Sequence, residues 1–257
     1  MEIIQSRQNP LFKSCLKLAT QRRERLKSGL TLLDGPHLLA AALDTGLQPE
    51  RTVVAEHALA KNEVVELSAR LVRQPVVFCD TLFAELTELE SASGLLAIWS
   101  YPSSPKPSLS GMILALDGVQ DPGNVGSILR TAAAAGVDQV WLGQGCADVW
   151  SPKVLRAGMG AHFCVPVIER VELPALAAVF SGRRAVTVLA ESSSLYQTDL
   201  RGDLLLIMGS EGQGVQADLV KLADLRLRVP MHRGMESLNV GAATAICLYE
   251  RLRQVSG

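Results

Sequence analysis

Five polar side chains in the C-terminal half of the chain could do chemistry together: Asn124, Arg130, Glu211, Ser237 and Asn239. They lie in or just after three loops rich in glycine and polar residues, and each loop follows an apolar run. The first stretch is DGVQDPGNVGSILRTAAAAG, residues 117–136. Pro122-Gly123 reads as a turn, Asn124 as a helix cap and Gly136 as the stop. Arg130 then sits inside the helix, roughly 9 Å along the axis from Asn124 at 1.5 Å per residue. A guanidinium in an alanine-rich helix calls for an anionic partner such as phosphate, or for a snorkelling route to water. The second stretch is LLLIMGSEGQG, residues 204–214, in which Gly209, Gly212 and Gly214 allow close backbone approach to a ligand beside one acid, Glu211. The third is VPMHRGMESLNVGAA, residues 229–243, where Ser237 and Asn239 are strong cap residues before a helix. That helix opens on Gly241, Ala242, Ala243 and Ala245, which leave room for another backbone or a ligand.

Several other chemistries are excluded or unsupported. The second loop is spaced GxxGxG, not the GxGxxG of a dinucleotide site, and no Lys-Ser/Thr follows it as a phosphate loop requires. The five cysteines, Cys15, Cys79, Cys146, Cys164 and Cys247, never approach a CxxC spacing, so neither a disulfide framework nor a zinc site is expected. His37, His57, His162 and His232 form no recognisable ligand cluster, and no metal is expected. No basic leader precedes an apolar segment, and no apolar run approaches the ~18 residues that span a bilayer. A cytoplasmic protein with no membrane partner is expected.

The elements that must position these loops follow from hydrophobic patterning. A chain of 257 residues, 48% hydrophobic and 20% charged, can build one large or two ordinary cores. Apolar runs at 112–116, 137–142, 163–168, 185–190, 204–208 and 225–229 alternate with helical stretches, the signature of a parallel α/β sheet covered by helices on both faces. In such sheets ligands bind beyond the carboxyl ends of the strands, where the three loops lie. A smaller α/β unit precedes it, with strands near 30–33, 52–55, 76–78 and 94–99 and helices near 37–43 and 62–71. Between them, residues 101–110 hold three prolines and four serines, which reads as a linker over 101–108. The domains expected are therefore 1–100 and 109–257.

The formal net charge of -1 advertises no nucleic acid globally, so such a partner must meet a local basic surface. Residues 1–30 supply one, with seven basic side chains against two acids. Leu11, Cys15, Leu18 and Arg22 fall at helical spacing, giving a basic amphipathic helix after Pro10. Arg7, Lys13, Arg22 and Arg23 are its candidate RNA contacts, joined by Lys153 and Arg156 further on. A solvated helix face, or surface salt bridges in the case of Lys153 and Arg156, would produce the same pattern.

Taken together and in order, the three loop motifs resemble those of the SpoU/TrmH family of RNA ribose 2'-O-methyltransferases, within the SPOUT class of S-adenosylmethionine-dependent enzymes. The stretch WSPKVLRAGMG, residues 150–160, is similar to the segment that family carries between its first two motifs. Over 1–100 the likeness rests on SRQNP and LDGP, residues 6–10 and 33–36, which look like the L30e-like RNA-binding domain preceding many such enzymes. Ser210 and Gly241 stand where relatives often have Asn and Ser or Ala.

The resemblance implies a deep trefoil knot in the parallel-sheet domain and a homodimer. It implies S-adenosyl-L-methionine held against Gly209, Val229 and Leu238, with Met208 and Met231 close by. It assigns Arg130 to activating the ribose hydroxyl, with Asn124, Glu211, Ser237 and Asn239 orienting it. Free guanidinium keeps its proton at ordinary pH, so a phosphate-holding, charge-stabilising Arg130 is the physically easier reading. A separate N-terminal module tilts the expected RNA partner toward ribosomal rather than transfer RNA. The rival from another class is an RNA-binding protein that keeps the fold without catalysis; the intact polar set argues against it.

Overall fold

The computed structural model describes residues 2–88, 93–102, 104–232 and 237–256. The 233–236 part of the third motif and residue 103 of the expected linker lie outside the described residues. Contacts divide the chain into two compact units, Met1–Ser103 with Trp150–Phe163, and Ser104–Val149 with Cys164–Gly257. Among the described residues no helix is long and apolar enough to cross a membrane.

The first unit runs β1 (Ile3–Ile4), α1 (Pro10–Thr20), α2 (Arg22–Ser28), β2 (Leu30–Asp34), α3 (Pro36–Leu43), β3 (Arg51–Ala55), α4 (Asn62–Ala69), β4 (Val76–Phe78), α5 (Asp80–Ala84) and β5 (Leu95–Ser100). Its sheet has the order β1-β4-β3-β5-β2, with β5 antiparallel to both β3 and β2. Asn9 caps α1, its Oδ1 accepting from Leu11 N at 2.9 Å, and Pro10 follows where its missing N–H costs nothing. The stripe that α1 buries is Phe12, Cys15 and Leu18, with Leu11 only half-buried, and Phe12 packs against Phe78 of β4. The basic run then breaks at Gln21, so Arg22 and Arg23 open a second helix.

The chain returns to this unit once more, over the segment that the sequence reading kept within a continuous 109–257 domain. α7 (Pro152–Gly158) starts at Ser151, whose Oγ accepts from Val154 N, and buries Val154 and Leu155 completely. Trp150 stacks on Tyr101 at 4.9 Å between ring centroids, and its carbonyl accepts the buried Thr31 hydroxyl at 2.6 Å. The apolar face of α7 therefore finds its cover on residues more than 100 positions earlier.

The second unit contains β6 (Met112–Asp117), α6 (Pro122–Ala134), β7 (Gln139–Gly143), β8 (Val167–Val171), α8 (Leu173–Val179), β9 (Arg183–Thr187), β10 (Ser193–Ser194), β11 (Leu204–Gly209), α9 (Ala217–Leu222), β12 (Leu225–Arg228) and α10 (Val240–Ser256). Its seven strands are all parallel, in the order β10-β12-β9-β11-β6-β7-β8. The parallel α/β class expected from the alternating pattern is what forms. Ile113, Trp141, Phe180, Val186, Leu205 and Ile207 are buried in one cluster of its core, which explains why the central strands read as continuous apolar runs. β1 and β10 were not expected, β7 begins at Gln139 rather than at 137, and two further strands differ. β8 begins at Val167, because 161–163 form a 3-10 turn, and β9 ends at Thr187, beyond which Val188 N still donates to Leu227 O at 2.9 Å.

Candidate functional site

Because every strand of the second unit runs the same way, their carboxyl ends share one edge, and the polar loops gather there. The first loop enters α6 with Asp121, not Asn124, as the cap: Asp121 Oδ1 accepts from Asn124 N at 2.7 Å and Pro122 takes the first helical position. The Asn124 side chain is thereby released from capping. Its Nδ2 donates instead to Glu211 Oε1 at 2.7 Å, across to the loop after β11.

That loop is a tight turn. Ser210 and Gly214 pair as an isolated bridge, and Gly214 N donates to Ser210 O at 2.8 Å. A Cβ on Gly209 would lie 2.1 Å from the Gly214 carbonyl carbon and 2.3 Å from Val215 N, so the turn can fold back on the strand end only over glycine. Asp117, beside Gly209 in the sheet, secures the exit of the loop by accepting from Gln216 N at 2.7 Å and Gln216 Nε2 at 3.1 Å.

The third element is the start of α10. Asn239 Oδ1 accepts from Gly241 N at 2.9 Å and Ala242 N at 3.2 Å, the cap expected of it. Its Nδ2 faces the other way, 2.9 Å from Asn124 Oδ1 and 3.2 Å from Glu211 Oε1. One carboxylate oxygen thus accepts from two side-chain amides, and Val240 N lies 3.5 Å from it as a third donor. Gly241 has a packing role here: a Cβ would stand 3.0 Å from Ser127 Oγ on α6.

Beside this cluster lies a cleft at the carboxyl ends of β9, β11 and β12. Met208, Gly209, Val229, Met231 and Leu238 all line it, as do Glu211 and Ser237. Ala243, expected to leave room for a ligand, lines it too, whereas sequence reasoning missed Thr187, Val188 and Leu189 at the end of β9, Leu227 and Arg228 at the end of β12, and Val240 at the start of α10. Their only signal was position at a strand or helix end. The lining is mostly aliphatic side chain and glycine backbone, with polar side chains from Thr187, Ser210, Glu211, Arg228 and Ser237.

Arg130 is exposed on α6 and makes no hydrogen bond or ion pair with a described residue of its own chain. Six residues at 3.6 per turn place it about 120° around the helix from Asn124, so the two do not share a face. The candidate RNA contacts are dispersed in the first unit, and several are held by acids. Arg7 pairs with Glu85 at 2.7 Å, Lys153 with Glu88 at 3.3 Å, and Arg156 with Asp34 at 3.7 Å. Lys13 Nζ donates to Gln8 Oε1, Arg22 is half-buried, and Arg23 is exposed on α2. Burial holds the Asp34 carboxyl above the usual carboxylate range, against the opposing effects of the Thr87 hydroxyl and Arg156.

Fold and site define the class: a parallel α/β enzyme whose ligand cleft and polar cluster sit together at the carboxyl edge of the sheet. A family model described as the SpoU rRNA Methylase family matches residues 111–249, and one described as the MRM3-like substrate binding domain matches residues 9–97. The chain belongs to the SpoU rRNA methylase family and is a methyltransferase. It is 35% identical to the 23S rRNA (guanosine(2553)-2'-O)-methyltransferase RlmP of Bacillus subtilis, over 97% of this chain and 98% of that one. A crystal structure of an RNA 2'-O ribose methyltransferase superposes with a TM-score of 0.85 at 27% identity, covering all of both chains. An AdoMet-bound rRNA methyltransferase from Sinorhizobium meliloti gives a TM-score of 0.85 at 28% identity, covering 99% of this chain and 98% of that one.

Proposed function

We propose that the protein methylates a ribose 2'-hydroxyl of ribosomal RNA, with S-adenosyl-L-methionine as donor and no metal. The observation that carries the reading is the hydrogen-bonded set Asn124, Glu211 and Asn239 at the side of the cleft lined by Gly209, Val229 and Leu238. The lining fits such a donor. Val188, Leu189, Leu227 and Leu238 offer apolar cover for an adenine ring, and the strand and loop backbone around Gly209 offers peptide groups. When bound, the donor supplies an electrophilic methyl group on a sulfonium.

The chain's own residues then have three tasks: to hold the ribose oxygen in line, to keep water out, and to receive a proton. Glu211 is fixed by the donors around its Oε1, and its other oxygen makes no hydrogen bond with a described residue. That oxygen is the group we assign to orient the hydroxyl and accept its proton, with Ser237 alongside. Arg130, on another face of α6 from Asn124, is assigned to hold an RNA phosphate through its guanidinium fork. The working form is read as a homodimer, with exposed Tyr249 and Val255 on α10 as apolar surface for a second copy. We read the second unit as knotted, which the family match over 111–249 supports. The first unit is read as the RNA-binding domain, L30e-like in fold, which the match over 9–97 supports.

Calorimetric titration of the full-length protein with S-adenosyl-L-methionine tests the reading. One site per chain, weakened by filling the cleft at Ala243, is the expected result; absence of binding would contradict it.

A further inference from the structure

On the far side of the 210–214 turn from the cleft lies a second depression, at the carboxyl ends of β6, β7 and β11. Its rim carries four exposed glutamines, Gln120, Gln144, Gln213 and Gln216. Gln216 is committed to Asp117, and Gln144 Nε2 lies 3.4 Å from Glu172 Oε1. The side-chain amides of Gln120 and Gln213 hydrogen-bond to no described residue. Gly118, Gly145 and Gly214 contribute bare backbone to the lining, all at positive φ, of +66°, +80° and +67°. Nothing lies within 4 Å of where a Cβ on Gly118 or Gly214 would stand, so the space above the backbone there is open.

The charges of this groove are already spoken for. Asp117 accepts from Gln216, and Lys221 pairs with Asp218 at 2.9 Å. A phosphate would find no uncommitted cation on its lining, whereas a flat, uncharged ligand edged with donors and acceptors would find peptide planes below and carboxamides at the rim. A glutamine carboxamide presents one donor and one acceptor in a plane, the pairing that reads the edge of a base.

We propose that this groove seats a nucleobase of the RNA substrate, read by the carboxamides of Gln120 and Gln213. It rests on the methyltransferase reading above and adds to it a specificity site, sharing the 210–214 wall with the donor cleft. Gln120 and Gln213 are positioning residues for the base; they are not part of the donor cleft.

The test uses the full-length protein, ribosomal RNA from a strain lacking the gene, and methyl transfer from labelled S-adenosyl-L-methionine. Two variants are compared, Gln120→Ala with Gln213→Ala, and the uncharged pair of similar size Gln120→Met with Gln213→Met, each checked by melting temperature. Both should raise the RNA KM roughly tenfold or more, the discrimination typical of a lost bidentate base contact. Affinity for S-adenosyl-L-methionine should stay within about twofold, which separates lost RNA binding from a damaged donor cleft. If the alanine pair fails to fold, the methionine pair decides the matter, since a purely packing role would leave its RNA KM at the wild-type value. Wild-type RNA KM in a folded variant that still transfers methyl overturns the base site alone. A wild-type protein that binds no donor and transfers no methyl overturns the parent reading, and the base site with it.

Discussion

Asn239 does two things with one carboxamide, and the two ends of that group can be separated. Its oxygen caps α10 and its nitrogen faces Asn124 and Glu211. Asn239→Asp keeps an oxygen for Gly241 N but puts a second one 2.9 Å from Asn124 Oδ1 and 3.2 Å from Glu211 Oε1. Two carboxylates that close resist ionising together, so one holds a proton into a higher pH range than usual. The expected outcome is a melting temperature near that of wild type and methyl transfer lowered on the order of 10²-fold, as for removal of one preorganised donor. Part of the rate should return as pH falls and the pair takes up a proton. Unchanged transfer with an unchanged pH profile would leave Asn239 as a cap only.

At the scale of elements, what was legible in the sequence was whatever local chemistry decides. The three loops announced themselves because glycine and polar residues interrupt apolar runs at strand ends, and the residues expected around the cleft line it. The cap of α6 was misassigned to Asn124, although Asp121 before Pro122 carried the proper signal. What was not legible depends on partners distant in the chain. The return of 150–163 to the first unit follows from buried Val154 and Leu155 and the Trp150 stack, none of which strand and helix periodicity records. The early end of β9, which brings Leu189 to the cleft, is likewise not recorded by the apolar run 185–190.

The turn after β11 yields a sharp prediction at this scale. Gly209→Ala puts a methyl 2.1 Å from the Gly214 carbonyl carbon, so the turn must move away from the strand end. Thermal or denaturant unfolding should show a loss of about 1–3 kcal/mol, the usual range for overpacking. Calorimetry should show a larger effect, with donor affinity falling at least roughly tenfold, about 1.4 kcal/mol of binding energy. A fully stable variant with normal donor affinity would mean that the tight turn is not needed for the cleft.

The end of α10 gives a pH-dependent counterpart. Glu250 accepts from Arg253 at 2.8 Å and from Gln254 Nε2 at 2.8 Å, while Gln254 also donates to Thr198 O and accepts from Leu200 N. Those hydrogen bonds hold the Glu250 carboxyl at about 2, below its ordinary 4.5. A depressed folded value means that the contribution is complete above the unfolded pKa and is lost as pH falls from there toward 2. With Arg253 largely exposed, the contribution is about 1 kcal/mol. Glu250→Gln should therefore lower stability at neutral pH by about that amount, and the gap to wild type should close in urea titrations carried toward pH 3. A gap constant from pH 7 to pH 3 would refute the assignment.

For the molecule as a whole, a net charge of -1 and the pairing of Arg7, Arg70 and Arg156 with acids leave little bulk attraction for RNA. Recognition has to come from placed groups: Arg130, which pairs with no described residue, the polar set at the cleft and, as proposed, the glutamine groove. Family membership fixes the reaction class, and the carboxyl edge of one parallel sheet brings the groups together. The central claim is methyl transfer to a ribose hydroxyl of ribosomal RNA. Mapping of 2'-O-methyl positions across total RNA, with and without the gene, tests it most directly. The account predicts that a ribosomal RNA position loses its mark without the gene and regains it when the wild-type protein, but not Asn124→Ala, is restored. Identical maps in the two strains, or a lost mark confined to transfer RNA, would contradict it.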